Sequence, residues 1–184
     1  IDGVCRRYTA ILHELVRRGH EILLFTIETD PEDLPDRNIT VVHLDYMIMP
    51  AYPGKKVARP TWGVLGKVMN SLRAFQPDLI HITNDGFSQI FECSALFLGV
   101  PVVGAFHTDI LELVQRHNGH LFQQACVYSK ELTDSLLLDS SATTSQSFHN
   151  KLAGNHIHCQ HVIITGVDAT VFHPSKFNAK LRND

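Results

Sequence analysis

The chain has 184 residues, 44% of them hydrophobic and 19% charged, with a net charge of -3 at pH 7; this suits one globular domain with a real core and excludes a disordered chain. Sixteen Lys and Arg stand against nineteen Asp and Glu, scattered and not striped, which gives no case for nucleic acid as a partner. Four cysteines (Cys5, Cys93, Cys126 and Cys159) lie far apart with no C-x-x-C, so a zinc module or disulfide framework is not indicated and a cytoplasmic or other reducing compartment is expected.

Asp2 and Gly3 precede an amphipathic helix with Val4, Tyr8, Ile11, Leu12 and Leu15 on one face and Arg6, Arg7, His13, Glu14, Arg17 and Arg18 on the other. Gly19 ends it. Glu21–Ile27 is nearly all apolar and Ile39–Leu44 is similar, so both are predicted strands, the first covered on both faces. The visible order is therefore helix–strand, whereas a doubly wound sheet opens strand–helix through a glycine turn. A first strand is expected ahead of Asp2-Gly3, between Glu21–Ile27 and Leu79–Thr83.

Asp45–Pro60 reads as a loop. It combines Tyr46, Met47, Ile48 and Tyr52 with Lys55, Lys56 and Arg59, a mixture that suits contact with lipid, although such side chains also fold back onto a core. A helix follows with Val64, Leu65, Val68, Leu72 and Phe75 on one face, broken by Gln76-Pro77-Asp78. Leu79–Ile82 is the next buried strand, ending in the polar crest Thr83-Asn84-Asp85-Gly86. The helix after it turns Phe87, Ile90, Phe91, Ala95 and Leu98 to one side and stops at Gly99.

Pro101-Val102-Val103 is a further unalternating apolar strand, and it runs through Gly104 and Ala105 into Phe106-His107-Thr108-Asp109. In an open α/β sheet ligands bind outside the carboxyl ends of the strands, so His107, Thr108 and Asp109 stand where chemistry is expected. The plainer alternative is that His107 caps the next helix or bonds a loop. Ile110–Gln115 is a short helix and Leu121–Leu138 a long one with Phe122, Ala125, Leu132 and Leu136 turned inward. Ser140–Thr144 is a short strand and Gln146–Leu152 a helix ended by Gly154. His156, His158, Cys159 and His161 have a metal-like composition, but their spacing matches no zinc pattern and a surface turn is the preferred reading. Val162-Ile163-Ile164 closes the series, and Ser175–Asp184 is polar. Strand and helix alternate throughout, which predicts an α/β fold: a Rossmann-like parallel sheet with helices on both faces.

Several segments in this order resemble the amino-terminal half of family 4 glycosyltransferases of the two-domain GT-B fold. They are Asp2-Gly3-Val4, Arg17-Arg18-Gly19-His20-Glu21-Ile22, Gln76-Pro77-Asp78-Leu79-Ile80-His81, Pro101-Val102-Val103, Phe106-His107-Thr108, and Gly166-Val167-Asp168 with Val171-Phe172-His173-Pro174. Within the family, Pro50-Ala51-Tyr52 and the His-Thr pair look most like sulfolipid synthases. One departure is Thr165, where the family usually has Asn or Arg. The resemblance implies retaining transfer of a sugar from a nucleotide-sugar to an acceptor hydroxyl, which includes diacylglycerol if the acceptor is a lipid. No cofactor and no metal is expected, the nucleotide-sugar being a co-substrate.

The resemblance also distributes roles. His107 matches the histidine near the reacting sugar, and Gly3 matches the loop beside the donor phosphates, where only a residue without Cβ lets a backbone N–H approach so closely. Asn84, Asp85, Thr108 and Asp109 are the candidates for acceptor contacts. Residues 1–173 would form the acceptor-side domain without its first strand, and 174–184 would begin the linker to a donor-binding domain. On that reading residues 1–184 alone are inactive, and 46–59 is the place for peripheral membrane contact. Two other classes compete: a non-enzymatic binding or scaffold module made of an isolated acceptor half, and a nicotinamide oxidoreductase, which lacks the required G-x-G-x-x-G.

Overall fold

A computed structural model describes residues 3–27, 38–48, 56–83, 88–116, 120–164, 166, 173 and 175. Helix α1 (Gly3–Arg17) leads into strands β1 (Ile22–Thr26) and β2 (Ile39–His43), then β3 (Tyr46–Ile48) and β4 (Lys56–Ala58). Helix α2 (Trp62–Phe75), β5 (Ile80–Thr83), α3 (Gln89–Leu98) and β6 (Val102–Phe106) follow. The rest is α4 (Ile110–Arg116), α5 (Leu121–Leu137), β7 (Ser140–Thr143), α6 (Gln146–Gly154) and β8 (His161–Val162).

Local chemistry sets the boundaries. Thr61 caps α2 through its hydroxyl, which accepts from Val64 N at 3.3 Å. The helix closes on Gln76 in the left-handed region, φ 54°, where the following proline forbids another turn. Ser145 caps α6 in the same way as Thr61. At the end of α3, Gly99 takes φ 68°, a conformation that costs glycine least.

The parallel strands form two sets. Strand β1 pairs with β2, and a four-stranded sheet runs β5-β6-β7-β8. No hydrogen-bonded ladder joins β1 to β5 among the described residues. The pairing of Glu21–Ile27 with Ile39–Leu44 is as the sequence predicts. The expected covering of β1 on both faces is not: all five of its residues are only half-buried. The reason lies in its surroundings. Among the described residues β2 is the one strand bonded to β1, and the apolar face of α1 stays partly open, with Ile11 38% and Leu15 36% exposed.

The core gathers Val68 and Leu72 of α2, Ile82, Ala95, Val102 and Phe106, and a smaller cluster joins Ile110, Val114 and Val127. Gly104 belongs to the packing of β6. A Cβ added there would overlap the buried Leu138 side chain, with Cδ2 at 2.9 Å and Cγ at 3.2 Å. Strand and chain segment approach this closely because position 104 has no side chain.

Two sequence expectations are corrected. The stretch predicted as a loop from Asp45 to Pro60 holds the antiparallel pair β3–β4, with Tyr46 opposite Ala58 and Ile48 opposite Lys56. Residues 49–55 lie outside the described residues. Helix α5 is rotated from the predicted facing: Phe122 is 77% and Leu136 75% exposed, Ala125 is exposed, and Leu132 is half-buried. Its inward residues are Val127, Glu131, Asp134 and Ser135. Reading charge as solvent-facing failed here because Asp134 has partners inside: Lys130 Nζ at 2.5 Å, Gln89 Nε2 at 2.5 Å and Ser88 Oγ at 3.1 Å.

Candidate active site

Register places the site. Thr83 pairs with Ala105, and Phe106 with Thr143, so β5, β6 and β7 end level with one another. Their carboxyl ends share one edge, with His107-Thr108-Asp109 directly after β6. Asn84 and Asp85 follow β5 but lie outside the described residues.

His107 is half-buried and tied to the first helix. The Tyr8 hydroxyl lies 2.8 Å from His107 Nε2 and 2.7 Å from His81 Nε2. The tyrosine ring meets His107 edge-on at 5.3 Å between centroids and leans on His81 at 5.4 Å, so it is gripped by packing as well as by hydrogen bonds. His81 is exposed on the surface of β5; desolvation where its ring packs on Tyr8, then the neighbouring His107 and Arg7, push its pKa below its ordinary value. Tyr8 stands five residues beyond Gly3 on α1, about 7–8 Å along the helix axis, so the start of α1 and the end of β6 are linked through one side chain.

Thr108 is half-buried, and its carbonyl accepts from Ile110 N at 3.0 Å. Asp109 does the capping that the plain reading gave to His107. Its Oδ1 accepts from Glu112 N at 2.8 Å, satisfying an open donor at the start of α4. The other carboxylate oxygen pairs with Lys151 of α6, which also pairs with Glu112. These two acids hold Lys151 above the ordinary lysine value, and Lys151 with Arg116 holds Glu112 low. The network staples α4 to α6 behind the strand-end crest.

Residue periodicity had hidden two members of this cluster. Tyr8 sits on the predicted apolar face of α1, where a tyrosine reads as core. His81 was lost in the apolar run Leu79–Ile82, although strand alternation carried the signal: Ile80 and Ile82 point inward, so His81 faces the other side. The histidines near Cys159 are separate from this crest. There the buried Ile157 and Cys159 anchor the segment, and the His149 ring lies 3.0 Å from the Cys159 carbonyl. Together with Ala153, His156 and His158 they line a cavity of about 400 Å³. Among the described residues no group of three or more His, Cys, Asp or Glu side chains is arranged to hold a metal ion.

A parallel α/β sheet with a histidine-bearing crest at its carboxyl edge agrees with the comparison of sequences. The family model described as Glycosyltransferase Family 4 matches residues 1–171. The chain belongs to the family 4 glycosyltransferases. Its α/β architecture is consistent with the amino-terminal Rossmann-like domain of the GT-B fold in that family. Among curated relatives, this chain is 27% identical over 193 residues to the GDP-mannose-dependent alpha-mannosyltransferase of Mycobacterium tuberculosis (strain CDC 1551 / Oshkosh), covering 99% of this chain and 48% of that protein. It is 26% identical over 190 residues to the GDP-mannose-dependent alpha-mannosyltransferase of Mycolicibacterium smegmatis (strain ATCC 700084 / mc(2)155), again covering 99% and 48%. The chain thus spans about half the length of the curated relatives it matches.

Proposed function

We propose that the intact protein transfers a sugar from a nucleotide-sugar donor to an acceptor hydroxyl with retention at the anomeric carbon. The observation that carries this reading is His107, placed by β6 at the carboxyl edge of the sheet and held there by Tyr8. Family membership supports the reaction class, and the two relatives make GDP-mannose the first donor to test. GDP-mannose carries its sugar α-linked, so the "alpha" in the relatives' names corresponds to retention.

Sugar transfer passes through an oxocarbenium-like transition state while a diphosphate departs, so the site must steady positive charge on the sugar and negative charge on the leaving group. In this reading His107 hydrogen-bonds the reacting sugar, and Gly3 brings backbone N–H groups beside the donor phosphates. Thr108 and Asp109, with Asn84 and Asp85, contact the acceptor; the capping and ion-pairing oxygens of Asp109 retain lone pairs for this. The cations that hold the diphosphate belong to a second domain to which 174–184 leads, so residues 1–184 alone do not turn over.

Exposed Ile48 and Trp62 at 60% and 87%, with Lys56 Nζ 4.6 Å from the Tyr46 ring centroid, favour a lipid as the acceptor's setting. Apolar and cationic groups together suit the membrane interface, and the likeness of Pro50-Ala51-Tyr52 to sulfolipid synthases points to diacylglycerol. On this reading the contact is peripheral, through 46–59; among the described residues no helix is long and apolar enough to cross a membrane.

One assay tests donor, acceptor and stereochemistry together. The intact protein is incubated with sugar-labelled GDP-mannose and either diacylglycerol vesicles or soluble hydroxyl acceptors. Label should move to an acceptor with the α configuration kept, and to the vesicles if the lipid reading holds. Inverted product would refute retention, and no transfer from GDP-mannose or any other nucleotide-sugar would refute the activity.

A further inference from the structure

We propose that the outer face of α5 docks a second copy of this chain, the two α5 helices packing antiparallel across a two-fold axis at Ser129.

An ordinary surface helix keeps its apolar residues inward and its charges in water. Helices α3 and α5 do the reverse. Glu92 of α3 is 1% exposed, Glu131 and Asp134 of α5 are 2% and 1% exposed, and Lys130 is turned onto Asp134. What meets solvent on α5 is Phe122, Ala125, Cys126, Ser129, Thr133 and Leu136, and on the neighbouring α3 it is Cys93, Leu96 and Phe97. No charged residue interrupts either set. The Thr133 hydroxyl donates back to the Ser129 carbonyl at 2.8 Å, so its polar end is satisfied within the helix. Phe122, Ala125 and Leu136 have the periodicity of a buried helix face, yet the described residues leave them bare.

The surface on offer is large enough for a partner. Leu96, Phe97, Leu121, Phe122 and Leu136 are between 64% and 83% exposed, which amounts to on the order of 700 Å² for side chains of this size. The largest apolar patch on a typical monomer is about 300–600 Å². Each partner in a stable interface of standard size contributes about 800 Å².

The order of the residues selects the occupant. Phe122 and Leu136 each stand seven residues from Ser129, and Ala125 and Thr133 each stand four. The face therefore reads large, small, small, small, large from either end. A two-fold axis at Ser129 lays Phe122 on the partner's Leu136 and Ala125 on the partner's Thr133. The small residues between them let the helix axes approach to about 8–10 Å. A two-fold interface has to be self-complementary in this manner, and an uncharged face meets its own copy without like-charge repulsion. A lipid surface fits less well, because interfacial helices set Lys and Arg beside the apolar face and the basic residue of α5 is turned inward. A donor-binding domain, on the reading above, closes over the carboxyl edge at His107, whereas this face looks outward from the flank of the sheet.

The test measures the mass of the intact protein by light scattering after gel filtration at micromolar concentration. The wild type should have the mass of a dimer. Phe122→Lys and Leu136→Glu should each halve it, since each sets an unpaired charge in the contact; both residues are exposed, so both variants should fold. Mixed in equal amounts, the two variants should recover the doubled mass. The axis then sets the new lysine of one copy against the new glutamate of the other and keeps one Phe122–Leu136 contact. Monomeric wild type would overturn the proposal, and its capture by anionic phospholipid vesicles through Phe122 would assign the face to lipid instead. A dimer that survives both substitutions would place the interface elsewhere and overturn it too. Variants that stay monomeric when mixed would overturn the antiparallel pairing about Ser129.

Discussion

His107→Ala in the intact protein should lower kcat by at least one order of magnitude, with a much smaller change in the donor KM. The histidine stands at the carboxyl end of β6 in a fixed pose, and a fixed polar group contributes most where charge develops in the transition state and little to ground-state binding. One positioned acid or base commonly supplies about 100-fold or more; a hydrogen-bonding role without full proton transfer places the expected loss toward the lower end. His107 is half-buried at the rim and outside the core cluster, so the variant should fold. Steady-state kinetics with thermal melts as a control separate the two effects. Unchanged kcat in a folded variant would make His107 a structural residue.

The second large effect is on stability, and its sign is set by two buried acids. Glu92 is 1% exposed, and neither carboxylate oxygen has a hydrogen-bond partner. Burial first, and then the adjacent Asp134, push its pKa well above the carboxylate range. Glu131, 2% exposed, is raised to about 7, chiefly by burial and then by Asp109 and Asp134 against the opposing pull of Lys130. In both cases the folded chain keeps a proton that the unfolded chain releases. Their contribution to stability is full below about pH 4.5, the ordinary value. It is lost as pH rises through the folded values, by up to about 1.4 kcal/mol per pH unit for each group.

The acids whose pKa values are lowered act elsewhere on the scale. Glu14, held at about 2 by Arg17 and Arg18, and Glu112 lose their contributions only as pH falls below the ordinary value of 4.5. His81 opposes the buried acids below pH 6.5, its ordinary value, because the unfolded chain takes up a proton that the folded ring refuses. The clean window is therefore pH 6.5 to 8. Tm should fall across it by at least about 3 °C, since about 1 kcal/mol moves Tm by about 2–4 °C at this size. Glu92→Gln, with a side chain that stays neutral, should flatten the slope and match or exceed the wild-type Tm at pH 8. A wild-type Tm that rises across the window, with Glu92→Gln no flatter, would contradict the assignment.

The same residues show what a sequence can and cannot reveal. Strand–helix alternation was legible because each buried strand is an apolar run and each helix ends on its own signal, such as Gln76-Pro77 or Gly99. The strand-end position of His107 follows from that alternation alone. Helix α5 was misread because Asp134 and Glu131 look like a solvent face in one dimension. They become an interior face once Ser88, Gln89 and Lys130 are brought beside them. Tyr8 was legible as a helix-face residue and not as a bridge, since its partners are 73 and 99 positions away. Pairings of that length depend on the packing of α1 against the sheet, which no local pattern encodes. Asp109 shows the intermediate case. Its place before α4 suits a cap, yet the pairing with Lys151 required α6 to be set in position.

The central claim is that the nucleotide-sugar meets the strand-end crest at His107. It is tested most directly by titrating the ¹⁵N-histidine-labelled intact protein with GDP-mannose and following each imidazole. The account predicts that His107 and His81 shift together and saturably, while His149, His156 and His158 around the 400 Å³ cavity stay in place. Saturable shifts confined to that histidine-lined cavity, with His107 and His81 unmoved, would contradict it.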